Sequence, residues 1–293
     1  AGEDIRMRFT DDRAMLSNAD AVWFHGPSIE DLPRRADKSQ PWVLMSMESD
    51  ANYPALAHPA TRLYFDLFMT YRLDADIPCI YPNRSHYRFD SQAETGAAYD
   101  AGDALAVYIA SNPVPRRDNY IAELMQHMNI DSLGRCLNNR SIDDFIVGDW
   151  HDGAWSSILE TLPSYPFYLA FENSVGTDYV TERVFHALEC GSVPVYLGAP
   201  NVEEFMPSPH ALIRADTFDS PQSLANHLLA LTKDPPAYQR HLAWRQEPLS
   251  DSFQKLLDLG DSSPMNRLAI KLAHGCGSEC CCGGKFRISN GQP

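Results

Sequence analysis

Glu182 and Arg183 set a carboxylate and a permanent cation side by side, just after the polar run Glu172-Asn173-Ser174-Val175-Gly176-Thr177-Asp178. Groups of that kind hold an anion. The polar run leaves an apolar, aromatic stretch, Phe167-Tyr168-Leu169-Ala170-Phe171, which reads as a buried parallel strand. Residues 179–190 read as a helix, with Thr177 or Asp178 as its cap and Gly191 where the chain leaves it. Ser192-Val193-Pro194-Val195-Tyr196-Leu197-Gly198 supplies a second strand. Such a βαβ unit binds ligands in the crevice beyond the carboxyl ends of its strands. The helix start there offers unpaired N–H groups and the positive end of a dipole. Glu182 suits ribose hydroxyls, so an anionic nucleotide is the ligand these residues imply.

Other residues carry chemistry at a distance. Glu48 ends a predicted strand over residues 42–47, and a carboxylate there can take a proton if burial lifts its pKa toward neutrality. The plainer reading is a surface carboxylate capping the next turn. Arg116 and Arg117 follow the turn Ser111-Asn112-Pro113-Val114-Pro115 and offer a second cation. Cys276, Cys280, Cys281 and Cys282 invite a zinc site, but structural zinc sites use two separated pairs, which three consecutive cysteines fit poorly. Cys190 reads as a small apolar group inside its helix, and His186 as packing.

The elements that must position these groups alternate strand and helix. Residues 20–25, 42–47 and 67–71 read as strands of a first α/β domain, and residues 83–102 as a linker or long loop. A strand over 105–110, a helix over 118–128, the central block, a short strand over 211–213 and a helix opening at Ser220-Pro221 build a second domain. Pro235-Pro236 reads as a break, followed by a helix over 237–245. The expected fold is α/β, with two Rossmann-like domains facing a central cleft and a C-terminal helix, around residues 252–259, crossing back to the first. The expected boundaries are 1–103, 104–249, 250–275 for the crossover and 276–293 for a Cys-rich tail. The 293 residues suffice for two such cores. A net charge of -15 argues against nucleic acid as partner, and no apolar run approaches the ~18 residues of a membrane span.

Several segments together resemble one family. Phe171-Glu172-Asn173-Ser174 followed by Asp178-Tyr179-Val180-Thr181-Glu182-Arg183 resembles the signature of the α1,3-fucosyltransferases, glycosyltransferase family 10. Residues 191–198 match that family's next segment, and Trp42-Val43-Leu44-Met45-Ser46-Met47-Glu48-Ser49 resembles an upstream one. So does Met69-Thr70-Tyr71-Arg72-Leu73-Asp74-Ala75-Asp76-Ile77. The resemblance runs in order from about residue 20 to 260. Residues 130–136, 198–205 and 250–253 are most similar to plant-type core enzymes, whereas residues 69–77 look more like the Lewis-type and protein-O-fucosylating branches.

The resemblance implies a GT-B-like fold and inverting transfer of L-fucose from GDP-β-L-fucose, with no cofactor and no essential metal. The implied acceptor is the asparagine-linked core GlcNAc of an N-glycan or glycopeptide; N-acetyllactosamine, a protein hydroxyl, or a non-catalytic binding role are the alternatives. Glu48 takes the family's base position. Arg183, where the family usually has Lys, and Arg117, or its neighbour Arg116, form the implied diphosphate clamp. Glu182 is assigned to the ribose, Tyr179 and Asn173 to the donor pocket, and Ser111 and Asn112 to further polar contacts, although Tyr179 also suits core packing and Asn173 turn shaping. Glu172 is expected to stabilise the loop. Tyr53, Tyr71 and His86, with Tyr64, are candidate acceptor-stacking rings. The implied setting is the Golgi lumen, as part of a type II membrane protein whose anchor precedes Ala1. In that setting the clustered cysteines form disulfides, and Asn83 and Asn139 stand in glycosylation sequons.

Overall fold

The computed structural model describes residues 5–89, 104–140 and 154–274. Its strands are β1 (Val22–His25), β2 (Trp42–Ser46), β3 (Leu67–Thr70), β4 (Ala106–Tyr108), β5 (Ile130–Ser132), β6 (Phe167–Phe171), β7 (Val193–Leu197) and β8 (Ile213–Arg214). Its helices are α1 (Pro54–Ala57), α2 (Pro59–Arg62), α3 (Pro115–Leu124), α4 (Ala154–Thr161), α5 (Glu182–Cys190), α6 (Pro221–Leu231), α7 (Pro235–Arg240), α8 (Asp251–Asp261) and α9 (Pro264–His274). The chain divides into two units, residues 1–80 with 259–293 and residues 81–258.

The first unit holds a parallel sheet in the order β1-β2-β3. On one face Trp42, Leu44, Leu56 and Phe65 pack together. On the other, Val43, Leu67 and Met69 pack with Ile77, Cys79 and Leu268 of α9. The chain therefore returns to this unit at its far end, and α9 is the element that closes the core. Asp76 secures it: one carboxylate oxygen accepts the edge N–H of Phe68 at 2.9 Å, and the other meets Lys271 Nζ at 3.1 Å. Arg267 also donates to the Pro78 carbonyl.

The second unit holds a five-stranded parallel sheet in the order β5-β4-β6-β7-β8. Counted from β4, this is the 2-1-3-4-5 order of doubly wound sheets, whose direction of winding reverses between the first and third strands. Here that point lies between β4 and β6, which pair through Ala106 with Phe167 and Val107 with Tyr168. All five residues of β6 are buried, as a central strand covered on both faces requires.

Several sequence expectations change. The unit boundary falls at Ile80/Tyr81, not after residue 103. Tyr87 and Phe89 lie in the second unit's core, against Phe185 at 5.7 and 6.4 Å and, for Phe89, against Phe253 at 5.1 Å between ring centroids. The same contact places the start of α8 in the second unit, so the crossover helix is α9. Helix α5 begins at Glu182 and not at residue 179, because Thr181 takes an extended backbone (φ -94°, ψ -176°) that a helix cannot contain. Gly191 does end it, at φ 85°. Pro235-Pro236 opens α7, capped by Asp234, in place of breaking a helix, since the first turn needs no N–H from proline. The predicted helix over 237–245 accordingly stops at Arg240. The cysteines of the 276–293 tail lie outside the described residues.

Candidate functional site

The loops leaving β4 and β6 flank the switch point of the second sheet, and Ser111 and Asn173 sit in them. Ser111 Oγ and Asn173 Oδ1 are buried and have no hydrogen-bond partner, and neither does Arg183 Nε in the first turn of α5. An unpaired buried polar atom costs about 1–3 kcal/mol, so these three are the side-chain atoms beside the switch point that a polar group from water or a ligand would satisfy. All three were named as donor contacts from sequence.

Glu172 organises the loop between β6 and α5. Its side chain is fully buried. One carboxylate oxygen accepts the Thr181 N–H at 2.8 Å, and the other accepts the Thr181 hydroxyl at 2.7 Å. Arg183 Nη1 stands 3.4 Å from that second oxygen, 2.9 Å from Thr181 Oγ1 and 3.2 Å from Glu182 Oε1. Arg183 keeps 20% of its side chain exposed, and Glu182 33%. Burial pushes the Glu172 carboxyl up to about 7, with Arg183 opposing and Glu182 reinforcing the shift. On the same helix, burial pushes His186 down to about 4, against the opposing pull of Glu182. Thr181, not Thr177 or Asp178, occupies the N-cap position, and its side chain serves Glu172 instead of the helix.

The remaining donor candidates divide. Arg117 is 3% exposed: Nη2 donates to the Asn112 carbonyl at 2.7 Å, Nε to Asp118 at 3.2 Å, and the guanidinium lies over the Tyr108 ring. It braces the Ser111-Asn112 loop, and the expected clamp role does not suit a cation so enclosed. Arg116, beside it in the first turn of α3, is exposed. Tyr179 is 1% exposed and belongs to the core, its carbonyl accepting from Tyr196 Oη at 3.3 Å. This matches the packing reading of Tyr179 and not that of an open pocket wall.

In the first unit, Glu48 follows β2 and is half-buried. The Ser46 hydroxyl accepts its N–H at 3.0 Å and donates to its carbonyl at 3.1 Å, which fixes the backbone at Glu48. Tyr71 is 4% exposed, too enclosed to stack on a sugar; its hydroxyl bonds the Ser49–Asp50 segment next to Glu48. Tyr53 and Tyr64 are exposed at 38% and 56%. His86 belongs to the second unit, where Asn83 Oδ1 accepts its N–H at 2.9 Å and lies 2.7 Å from its Nδ1. A cavity of about 290 Å³ lined by Met125, Met128, Asn129 and Ile130 lies toward the amino ends of β4 and β5, the wrong end of the sheet for a ligand of this kind.

A doubly wound sheet with unpaired polar atoms and a cation at its switch point defines an α/β protein with a candidate ligand site at the carboxyl ends of its strands. Residues 101–262 match glycosyltransferase family 10 (fucosyltransferase), C-terminal, and residues 6–82 match the N-terminal fucosyltransferase region. The chain belongs to glycosyltransferase family 10. It is 29% identical over 283 residues to alpha-(1,3)-fucosyltransferase B of Drosophila melanogaster, covering 88% of this chain and 63% of the relative. It is 32% identical over 254 residues to GDP-fucose protein O-fucosyltransferase 3 of Xenopus laevis, covering 81% and 53%. The chain thus spans about half to under two thirds of the length of these curated relatives. A crystal structure of an α1,3-fucosyltransferase with GDP superposes with a TM-score of 0.58 at 17% identity, covering 88% of this chain and 78% of the other, and shares the fold.

Proposed function

We propose that this chain is the catalytic region of an inverting fucosyltransferase that uses GDP-β-L-fucose. The observation that carries the reading is the set of unpaired buried atoms on Ser111, Asn173 and Arg183, at the switch point of the second sheet. Arg183 and the N–H groups at the start of α5 meet the diphosphate, with Arg116 as the exposed second cation and Arg117 holding the loop that carries Ser111 and Asn112. Glu182 takes the ribose hydroxyls.

The acceptor hydroxyl attacks the anomeric carbon of fucose as the bond from that carbon to the β-phosphate oxygen breaks. The configuration inverts from β to α, GDP departs, and the hydroxyl proton passes to Glu48. Fixed cations and N–H dipoles stabilise the departing charge without a metal. Tyr71 holds the Ser49–Asp50 segment and so the backbone beside Glu48, and Tyr53 is the exposed ring nearest in sequence for a sugar face.

For the acceptor, the similarity of residues 198–205 and 250–253 to core enzymes favours α1,3 transfer to the asparagine-linked GlcNAc. The likeness to a protein O-fucosyltransferase favours a protein hydroxyl as second reading. The setting that goes with either is the lumen of the secretory pathway, the Golgi in particular. The test is calorimetric titration with GDP-fucose, followed by transfer to a core glycopeptide, to N-acetyllactosamine and to folded protein domains. Core-only transfer supports the first reading. Binding without transfer to any acceptor reduces the protein to a nucleotide-sugar binder, and absence of binding removes the proposal.

A further inference from the structure

Among the described residues, Glu172 is the one fully buried carboxylate that touches the proposed donor site, and no role in the reaction described above falls to it. Three segments converge on it. It leaves the end of β6; its two oxygens hold the N–H and hydroxyl of Thr181; and its second oxygen faces Arg183 Nη1. From the third side Gly198, just past β7, presses so close that a Cβ there would sit 2.5 Å from Glu172 Cγ. A side chain at position 198 would push the carboxylate out of place. The groups that face Glu172 are Arg183 and Glu182 from α5, Thr181 before it, and the Tyr168 and Tyr196 rings from β6 and β7.

We propose that Glu172 is a positioning residue for nucleotide-sugar binding: it sets the first turn of α5 and aims the Arg183 guanidinium, whose side chain keeps 20% of its surface exposed to meet phosphate. This rests on the donor-site reading above. The arrangement has a direct logic. A cation that must reorganise on binding gains little from its charge, whereas one held in place has already met the ordering cost. Glu172 uses one bond to Arg183 and two to Thr181, so the helix start and the cation are fixed as one body.

A charge effect and a positioning effect predict opposite outcomes. If Glu172 acted only as a negative charge near the diphosphate, Glu172→Gln would tighten donor binding. As a positioning group, its loss weakens binding by about 10-fold, the worth of a charge-assisted hydrogen-bonded pair. The carboxyl sits at about 7 because burial outweighs Arg183. Donor affinity of the unaltered protein should therefore fall as pH drops through neutrality, when protonation breaks the pair, and this acid limb should vanish in Glu172→Gln.

GDP-fucose is the probe, because its pyrophosphate has no ionisation near neutrality. Calorimetric Kd values across this pH range, with thermal unfolding of each variant alongside, decide the matter. Thr181→Val, which removes only the hydroxyl link, gives a second measure and stands alone if Glu172→Gln does not fold. Its expected effect is a several-fold weaker Kd. Binding as tight as or tighter than the parent in a folded variant, or an unchanged pH limb in Glu172→Gln, overturns the inference. If the unaltered chain fails to bind GDP-fucose, the donor-site reading itself falls.

Discussion

Asn201 clasps Asp178 at both ends: its Oδ1 accepts the Asp178 N–H at 2.9 Å, and its Nδ2 donates to Asp178 Oδ1 at 2.8 Å. The clasp joins the segment after β7 to the signature loop and holds a non-glycine residue at φ 66°. A left-handed conformation costs roughly 1–2 kcal/mol for an ordinary residue, and local side-chain bonds offset it. Asn201→Ala removes both bonds and leaves that cost unmet. The expected loss is about 1–3 kcal/mol of stability, with a weaker donor KM and an almost unchanged kcat. Urea unfolding and steady-state rates at varied donor check both.

Arg183 offers a planar fork where the family usually has lysine. Arg183→Lys keeps the charge but cannot serve Thr181, Glu172 and a phosphate from one rigid group. The expected order of GDP-fucose affinity is parent, then Lys, then Ala, with Ala lower than the parent by about 10- to 100-fold. A lysine variant that binds like the parent would show that charge alone matters here.

Glu48 is expected to act on transfer and not on the donor. Glu48→Gln should lower kcat by about 10²–10⁴-fold, the usual contribution of a general base, while the GDP-induced thermal shift stays as in the parent. An unaffected rate removes Glu48 from the mechanism. Chelation by EDTA is expected to leave the rate unchanged, since the proposed charge stabilisation uses Arg183 and backbone N–H groups.

Two buried groups give pH dependences of opposite sign. Glu172 is raised from 4.5 to about 7, so the folded chain holds a proton that the unfolded chain has released. Its contribution to stability is greatest below pH 4.5 and declines as pH rises to about 7. His186 is lowered from 6.5 to about 4, so the folded chain refuses a proton that the unfolded chain takes up. Its contribution is intact above pH 6.5 and is lost as pH falls toward 4. Over the shared window the slopes oppose, each at most ~1.4 kcal/mol per pH unit. Relative to the parent, His186→Phe should gain stability on the acid side, and Glu172→Gln on the neutral side. Denaturant unfolding across this range reads the two differences directly.

Three thiols should be inert in the native state. Burial pushes Cys79 up to about 11 and Cys190 up to about 12, and it raises Cys136 as well. None of the three is in a disulfide. Peptide mapping after iodoacetamide treatment should find them unmodified in the folded protein and modified in urea. Native labelling of Cys79 or Cys136 would contradict their burial.

Much of the fold was legible because its signals are local. The strands β1, β2, β3 and β6 stand within a residue or two of their apolar runs, and the Ser220 cap with Pro221 starts α6 as expected. Prolines misled in one direction. Pro115 and Pro235 begin helices, and a pattern search that treats proline as a stop moves both starts downstream. The strand β5 was missed because three residues with Asp131 in the middle carry no periodicity. Helix α9 falls inside the expected crossover span 250–275, but the crossing helix is expected around 252–259 and not at 264–274, where Leu268 completes the first unit's core, because an amphipathic pattern shows a buried face without naming its partner.

The chain's own residue order determined the family, the βαβ block and the groups able to meet an anion, since a helix start, a cation and a polar turn keep their chemistry wherever they lie. Which of those groups are unpaired was decided only by folding. Arg117 and Arg183 look alike as cations in a row of letters. Packing closes the first around Asn112, Asp118 and Tyr108, and leaves the second with a buried N–H that has no partner. Burial and hydrogen-bond pairing depend on segments far apart in the chain, as Glu172, Thr181 and Gly198 show where they meet around one carboxylate.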